Sequence, residues 1–193
     1  MKQKIDNKTI LETALSLFSR YGYRKTTLEE IGAELGMTKG NLYIYVKDKR
    51  DLYVQTVSYA LERWQQRVRD AIEEATGPRE RLLVMCRKAV EYLSEDREFC
   101  EVLKMDPDIF PMFPASDPYE EINERSMAMI REILRDGIKK KEFRPVDLDK
   151  VASVIFSIYK MFIIRTYIKT DEQFLQELFE DTLDLVTRGL YTA

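Results

Sequence analysis

A short segment near the N-terminus, residues 27–49, constrains the fold most, because it predicts two short helices joined by a tight turn. Thr27 and Glu30 have the spacing of a capping box, which predicts that a helix begins there. Gly36 predicts the end of that helix, since glycine readily adopts the left-handed backbone of a C-terminal stop. Thr38 can cap the second helix. A helix, a turn with glycine and a second helix form the arrangement that lays the second helix in the DNA major groove.

Apolar residues in this segment predict how the two helices pack. Ile31 and Leu35 give the first helix one apolar face, and Leu42 can pack the second helix against it. Gly32 lacks a side chain where the two helices would approach each other closely. The alternative interpretation is an ordinary helical hairpin in which Gly36 only ends a helix.

The same segment resembles the TetR family of ligand-responsive transcriptional regulators. The matching residues are Thr27, Ile31-Gly32, Gly36-Met37-Thr38, the run from Gly40 to Val46, and Lys49. Gly32 replaces the alanine usual in the family, and Val46 replaces the usual phenylalanine. The rest of the chain matches the family only in length and helical pattern. The resemblance implies a DNA-binding headpiece followed by a helical body that binds an effector and forms a dimer.

The composition is that of a globular protein. The chain has 193 residues, of which 45% are hydrophobic and 34% charged, which allows one or two domains with a sizeable core. Only seven glycines and six prolines interrupt it, which favours long helices. No run approaches the roughly 20 apolar residues of a membrane span, and no secretory signal is recognisable. We therefore expect a cytoplasmic protein with no membrane partner.

The residue types of common enzyme and metal sites are scarce. There is no histidine, the commonest general base and transition-metal ligand. Cys86 and Cys100 are too few for a disulfide framework and fit no zinc pattern. They are interpreted as reduced, buried, small apolar residues, with a redox pair as the alternative. We expect no enzyme activity, no catalytic residues, no metal and no cofactor.

Charge is distributed unevenly along the chain. Residues 1–50 contain ten Lys or Arg and six Asp or Glu, a net charge of +4, which leaves 21 and 28, or −7, for residues 51–193. A basic N-terminal segment on an acidic body is typical of a DNA-binding protein with a separate second domain. A modest excess of +4 can also arise by chance, so it only supports the motif.

Periodicity and helix-breaking residues predict an all-α fold of about nine helices. A first helix from Asp6 or Asn7 to Tyr21, stopped by Gly22, should complete a three-helix helix-turn-helix headpiece. A fourth helix should begin at Asp48 and run to about Ala75. Further helices are expected at about 78–93, 94–105, 117–140, 147–169 and 171–190. We predict a DNA-binding domain at residues 1–47 and an effector-binding and dimerisation domain at residues 48–193.

The second helix of the motif carries the candidate DNA contacts. Lys39 can donate to guanine, and Asn41 can pair with adenine. Gly40 lets the backbone approach the groove closely, and the resemblance implies that Tyr43 and Lys49 anchor the DNA backbone. A core role for Tyr43 is the alternative, because Leu42 and Tyr43 cannot both face the groove. The full candidate set is Thr27, Thr38, Lys39, Gly40, Asn41, Tyr43, Tyr45, Lys47 and Lys49.

The last two helices predict a homodimer. Residues 151–164 are apolar nearly all round, and such a helix must be covered on every side. A partner subunit could cover it, so that two helices from each subunit form the interface, as the resemblance also implies. A core helix inside a monomer is the alternative. The candidate interface residues are Ile155, Ile163, Phe174, Leu178 and Leu185.

Aromatic residues and methionines in the body suggest an effector pocket. Such adaptable apolar side chains suit an apolar or amphipathic ligand, although they would equally make an ordinary core. Residues 106–118 contain four of the six prolines and cannot form a continuous helix, so they could close over a ligand. The candidate ligand-binding residues are Trp64, Tyr92, Phe99, Met105, Phe110, Met112, Phe113, Tyr159 and Phe162.

These observations favour a dimeric, sequence-specific transcriptional regulator, a repressor that an apolar or amphipathic small molecule releases from a double-stranded DNA operator. The alternative is a helical interaction or architectural module with this fold but without small-molecule control. The sequence does not identify the operator, the effector or the regulated genes.

Overall fold

The computed structural model describes residues 5–106, 109, 117–168 and 172–192, with the backbone alone for residues 165–168 and 172–176. In these ranges the chain forms nine α-helices, which confirms the predicted all-α class. An isolated bridge between Phe143 and Tyr191 is the one β interaction among the described residues. The helices are α1 Asn7–Lys25, α2 Leu28–Glu34, α3 Lys39–Leu42, α4 Lys49–Glu74, α5 Pro78–Glu95, α6 Arg97–Met105, α7 Glu120–Lys139, α8 Leu148–Ile168 and α9 Glu172–Leu190.

The chain divides into two compact units. Unit 1 comprises Met1–Arg63 and Asp96–Ile109, and unit 2 comprises Trp64–Glu95 and Phe110–Ala193. Helix α4 therefore contributes residues to both units. The predicted division into functional domains at residue 47 follows the end of the motif and not these packing units, and it stays a prediction.

Unit 1 is built around α1, which packs against α6 and α2. Asp6 caps α1 by accepting a hydrogen bond from the Thr9 backbone N–H at 2.7 Å. Gly22 interrupts the helix, as predicted, with φ 75° and ψ 163°, but the chain then resumes helical structure to Lys25. Thr26 holds this last turn, because both its N–H and its hydroxyl donate to the carbonyl of Gly22, at 3.2 and 2.9 Å.

Unit 2 is a bundle in which α7 packs against α5 and α8, and α8 packs against α9. Gly137 allows α7 to lie against the ring of Phe143, since a Cβ at this position would overlap that ring. Phe143 in turn stacks on Tyr191 with ring centroids 5.4 Å apart. The end of α7 and the C-terminal segment are thus joined through one aromatic stack.

Helix α8 is less uniformly covered than its sequence suggests. Phe162 and Ile163 are buried, whereas Val154 is 57% exposed and its neighbour Ser153 is also exposed. None of the helices that the structure describes has the length and apolarity required to cross a bilayer. Thr170 and Gln173 have the sequence spacing of a capping box before α9, and they lie outside the residues whose side chains are described.

Candidate functional site

The predicted helix-turn-helix forms with the predicted capping chemistry. The Thr27 backbone N–H donates to Glu30 Oε2 at 2.8 Å, and the Glu30 N–H donates to Thr27 Oγ1 at 3.2 Å, which confirms the capping box. Gly36 has φ 64°, a left-handed conformation that glycine adopts without strain. A Cβ on Gly32 would lie 3.0 Å from the Met37 carbonyl oxygen, so the close approach inferred from the sequence is present.

Helix α3 presents polar side chains while one leucine anchors it. Thr38 caps it by accepting a hydrogen bond from the Asn41 N–H at 3.3 Å. Leu42 is fully buried, whereas Gly40 and Asn41 are exposed and Tyr43 is 47% exposed. Tyr43 is therefore a surface residue and not part of the core. Asn41 and Tyr43 are both accessible for contacts in a DNA groove.

Lys39 is held by a carboxylate of the neighbouring helix. Its Nζ lies 2.7 Å from Oε1 of Glu29 on α2 and 5.8 Å from the centre of the Tyr43 ring. The hydrogen bond to Glu29 raises the pKa of Lys39, and the same bond lowers the pKa of Glu29. To contact a base, Lys39 must therefore break its hydrogen bond with the Glu29 carboxylate and donate to the DNA instead.

The other candidate DNA contacts differ in their surroundings. Lys49 is half-buried and donates to the carbonyl oxygens of Tyr23 and Thr26, at 2.9 and 3.1 Å, at the end of α1. The hydroxyl of Tyr45 donates to the Ile5 carbonyl at 3.2 Å. Lys47 is exposed. Lys49 and Tyr45 thus have structural contacts of their own, while Lys47 is an accessible cation.

One exposed residue beside α3 is missing from the sequence-based candidates. Ile44 is 78% exposed although it lies between Tyr43 and Tyr45. An accessible apolar side chain next to a recognition helix can contact a thymine methyl group. The spacing of the apolar residues Leu42 and Val46 is the sequence signal that could have indicated it. Both of their side chains are buried, and the residue midway between them faces outward.

Unit 2 contains an apolar cavity, here called the proximal cavity, with about 440 Å³ of empty space, part of it open to solvent. Trp64 forms part of the wall: its ring stacks on Tyr159 at 5.7 Å, and its Nε1 donates to the Ala89 carbonyl at 2.9 Å. The lining residues are Trp64, Gln65, Val68, Met85, Cys86, Ala89, Ser126, Met129, Ile130, Ile155, Phe156 and Tyr159.

Two hydrogen-bonded polar side chains stand in the wall of the proximal cavity. Gln65 is buried, and its Nε2 donates to the Ile122 carbonyl at 2.8 Å and to Ser126 Oγ at 2.7 Å. Arg125 donates through Nε to Gln65 Oε1 at 3.3 Å. Among the described residues, the hydroxyl hydrogen of Ser126 has no acceptor, so this hydroxyl can donate to a ligand.

A second, distal cavity with about 340 Å³ of empty space, part of it open to solvent, lies between α8 and α9. Phe162 and Phe179 form part of it and meet edge to face, with centroids 5.2 Å apart. Thr182 is the one hydroxyl-bearing aliphatic side chain in this lining, and it donates to the Leu178 carbonyl at 2.7 Å. The lining residues are Cys86, Ile155, Ile158, Tyr159, Phe162, Phe179, Thr182, Leu183 and Val186.

The predicted ligand-binding residues fall in different places. Trp64 and Tyr159 line the proximal cavity, and Phe162 lines the distal one. Tyr92 lies beneath Arg67, whose guanidinium carbon is 4.0 Å from its ring centre. Phe99 is fully buried in unit 1, and Met105 is 48% exposed there, so neither lines the cavities of unit 2. Phe110, Met112 and Phe113 lie outside the described residues.

The predicted interface residues differ in how exposed they are. Ile155 and Ile163 are buried within this chain, at 6% and 2% exposure, and offer little surface to a partner. Leu185 is 72% exposed, and Leu178 is half-buried. The side chain of Phe174 is not described. Among the described side chains of α8 and α9, the large aliphatic residues classed as exposed are Val154 and Leu185, of which the sequence indicated only Leu185.

Comparison with known proteins agrees with the motif. Residues 10–56 match the family model for bacterial regulatory proteins of the tetR family. The fatty acid metabolism regulator protein of Bacillus subtilis is 22% identical over 194 residues, covering 99% of each chain. The HTH-type transcriptional repressor KstR2 of Mycobacterium tuberculosis is 26% identical over 140 residues, covering 72% of this chain and 70% of its own.

The fold as a whole has solved counterparts. A crystal structure of the transcriptional regulator FadR from Bacillus subtilis in complex with stearoyl-CoA matches with a TM-score of 0.76. The match covers 96% of this chain and all of that one at 20% sequence identity. At this identity the likeness establishes the fold and no more.

Proposed function

We propose that this chain, which belongs to the TetR family of bacterial regulatory proteins through its helix-turn-helix domain, is a dimeric repressor that a fatty acyl thioester releases from its operator. Residues 1–47 are the proposed DNA-binding part, with Lys39 and Asn41 reading bases. Residues 48–193 are the proposed effector-binding and dimerisation part. The protein would act in the cytoplasm, where both DNA and acyl thioesters are found.

The observation that carries the effector class is the mixed chemistry of the proximal cavity. Its walls are almost entirely apolar, yet Gln65 and Ser126 form one polar position. The acyl part of a fatty acyl thioester has the same character, a long apolar chain that ends in one carbonyl acceptor. The FadR structure named above contains stearoyl-CoA, which supports the same class.

Release would follow from a shift between two conformations. An effector that binds the DNA-free conformation more tightly displaces the equilibrium towards it by its difference in affinity. Helix α4 is the proposed coupling element, because it carries Trp64 in the cavity wall and is continuous with Lys49 of the headpiece. A 100-fold preference corresponds to a coupling of ~2.7 kcal/mol, within the usual range.

The proposed dimer uses the exposed apolar surface of α8 and α9. Val154 is 57% and Leu185 is 72% exposed, so both large aliphatic side chains are available for a partner to cover. A symmetric dimer would also present two α3 helices to two half-sites of an operator.

Two titrations test the proposal. Trp64 is the only tryptophan of the chain and lines the cavity, so its fluorescence should change on addition of stearoyl-CoA and not on addition of free coenzyme A. A labelled operator can be selected from random duplexes. The fluorescence anisotropy of its complex with the protein should fall to the value of free DNA over the same range of stearoyl-CoA concentration. Operator binding that no acyl thioester changes would instead favour a DNA-binding module without small-molecule control.

A further inference from the structure

The two cavities of unit 2 share one wall. Cys86 of α5 and Ile155 and Tyr159 of α8 line both the proximal and the distal cavity. Ile155 and Tyr159 are one helical turn apart and therefore stand side by side on α8. These side chains are therefore what separates the two spaces.

Polarity decreases from one cavity to the other. The proximal cavity contains the Gln65–Ser126 pair, in which Ser126 can still donate a hydrogen bond. In the distal cavity the hydroxyl of Thr182 is already satisfied by the Leu178 carbonyl. The rest of that lining is dominated by aliphatic and phenyl side chains, from Ile158 to Val186. Burial also raises the pKa of the Cys86 thiol to about 12, so the shared wall carries no thiolate at neutral pH.

We infer that the two cavities form one bent channel that measures the length of the effector's acyl chain. This inference rests on the proposed function and adds a direction and a length to it. The thioester carbonyl accepts a hydrogen bond from Ser126 in the proximal cavity. The hydrocarbon chain passes Tyr159 and Ile155, and only chains long enough to do so fill the distal cavity beside Phe179 and Val186.

Val186 and Met85 allow a matched test of the channel, since Val186 lines only the distal cavity and Met85 lines only the proximal one. Val186→Phe should reduce the affinity for stearoyl-CoA by about tenfold or more, as expected when a hydrophobic pocket loses room for methylene groups. Its affinity for octanoyl-CoA should stay unchanged. Met85→Phe should weaken the binding of both stearoyl-CoA and octanoyl-CoA. Affinities are measured by Trp64 fluorescence or by calorimetry on the full chain.

Phe179→Ala provides the reciprocal variant, because it enlarges the distal cavity beside Phe162. It should favour stearoyl-CoA over lauroyl-CoA more strongly than the unmodified protein does. Equal changes for short and long chains in both variants would overturn the channel while leaving the proposed effector class intact. Failure of the unmodified protein to bind any acyl-CoA would instead overturn the proposed function.

The carbonyl contact has its own test. Ser126→Ala should reduce the affinities for octanoyl-CoA and stearoyl-CoA by the same factor, because both ligands have the same thioester group. A matched loss with unchanged chain-length preference places the head at Ser126. A loss confined to the long chain would reverse the proposed direction and overturn it.

Discussion

Lys39 and Glu29, on the two helices of the motif, form a hydrogen-bonded ion pair with 2.7 Å between Nζ and Oε1. Both side chains are partly exposed, at 42% and 61%. The pair links the candidate base-reading lysine to a carboxylate of α2, so DNA must compete with Glu29 for Lys39. With Lys39 reading bases as proposed, we expect the specificity of the headpiece to depend on a residue outside α3.

Replacement of the carboxylate should expose this competition. We expect Glu29→Gln to bind operator DNA severalfold more tightly and to discriminate less against scrambled duplexes, because Lys39 is released and one negative charge is lost. Glu34→Gln makes the same charge change at another exposed position of α2 and should have a smaller effect. Fluorescence anisotropy over a range of salt concentrations measures both.

The double variant decides whether the effect passes through Lys39. In a Lys39→Ala background, Glu29→Gln should alter affinity no more than Glu34→Gln does. If Glu29→Gln has the same effect with and without Lys39, the ion pair has no part in recognition.

The two lysines after α3 should respond differently to truncation. Lys49 donates to the carbonyl oxygens of Tyr23 and Thr26, so Lys49→Ala should lower the free energy of unfolding by about 1–3 kcal/mol as well as weaken DNA binding. Lys47 is exposed, so Lys47→Ala should leave stability unchanged and reduce the salt slope of DNA binding by about 1. Urea unfolding and salt titrations separate the two. An unchanged stability of Lys49→Ala would contradict the structural role.

The half-buried Cys86 should react more slowly in the folded protein than in the unfolded chain. Burial raises the pKa of its thiol from 9.0 to about 12, and only the thiolate reacts with Ellman's reagent. In a Cys100→Ala background at pH 8, the folded protein should react more slowly than the urea-unfolded chain, by roughly tenfold or more, because its thiolate fraction is smaller. Since the folded pKa is raised, this thiol's contribution to stability is full below pH 9 and decreases as the pH rises towards 12. Rapid reaction of the folded protein would show a solvated thiol.

The proposed dimer predicts a sharp difference between two exposed positions. Leu185→Glu places a charge where 72% of the side chain is exposed and should give monomers, since a buried unpaired charge opposes association. Ala128→Glu adds the same charge on the exposed side of α7 and should leave the dimer intact. Sedimentation at micromolar concentration measures both. A monomeric unmodified protein would exclude the dimer altogether.

The sequence could predict those features of the structure that depend on interactions between residues close together in the chain. The Thr27–Glu30 capping box and the left-handed Gly36 depend on neighbours along the chain, and both were located correctly. The position of Phe99 could not be predicted, because a helix of nine residues can join either unit and only packing decided that α6 lies against α1. Gln65 was missed because a buried amide is revealed only by its partners, here Ile122 and Ser126.

Two glycines in unit 2 give a matched test of packing. A Cβ on Gly137 would overlap the ring of Phe143, which is buried and stacked on Tyr191. Gly137→Ala should therefore lower the free energy of unfolding by about 1–3 kcal/mol, the usual cost of forcing extra volume into a packed core.

Gly189 supplies the control, because nothing lies within 4 Å of a Cβ at that position in α9. Gly189→Ala should raise the free energy of unfolding by roughly 0.5–1 kcal/mol, since alanine loses less backbone entropy than glycine in a helix. Urea unfolding monitored by circular dichroism gives both values. If Gly137→Ala is as stable as Gly189→Ala, α7 does not lie as close to Phe143 as described. A loss for Gly137→Ala that is relieved by Phe143→Leu would identify the ring as the group that requires glycine.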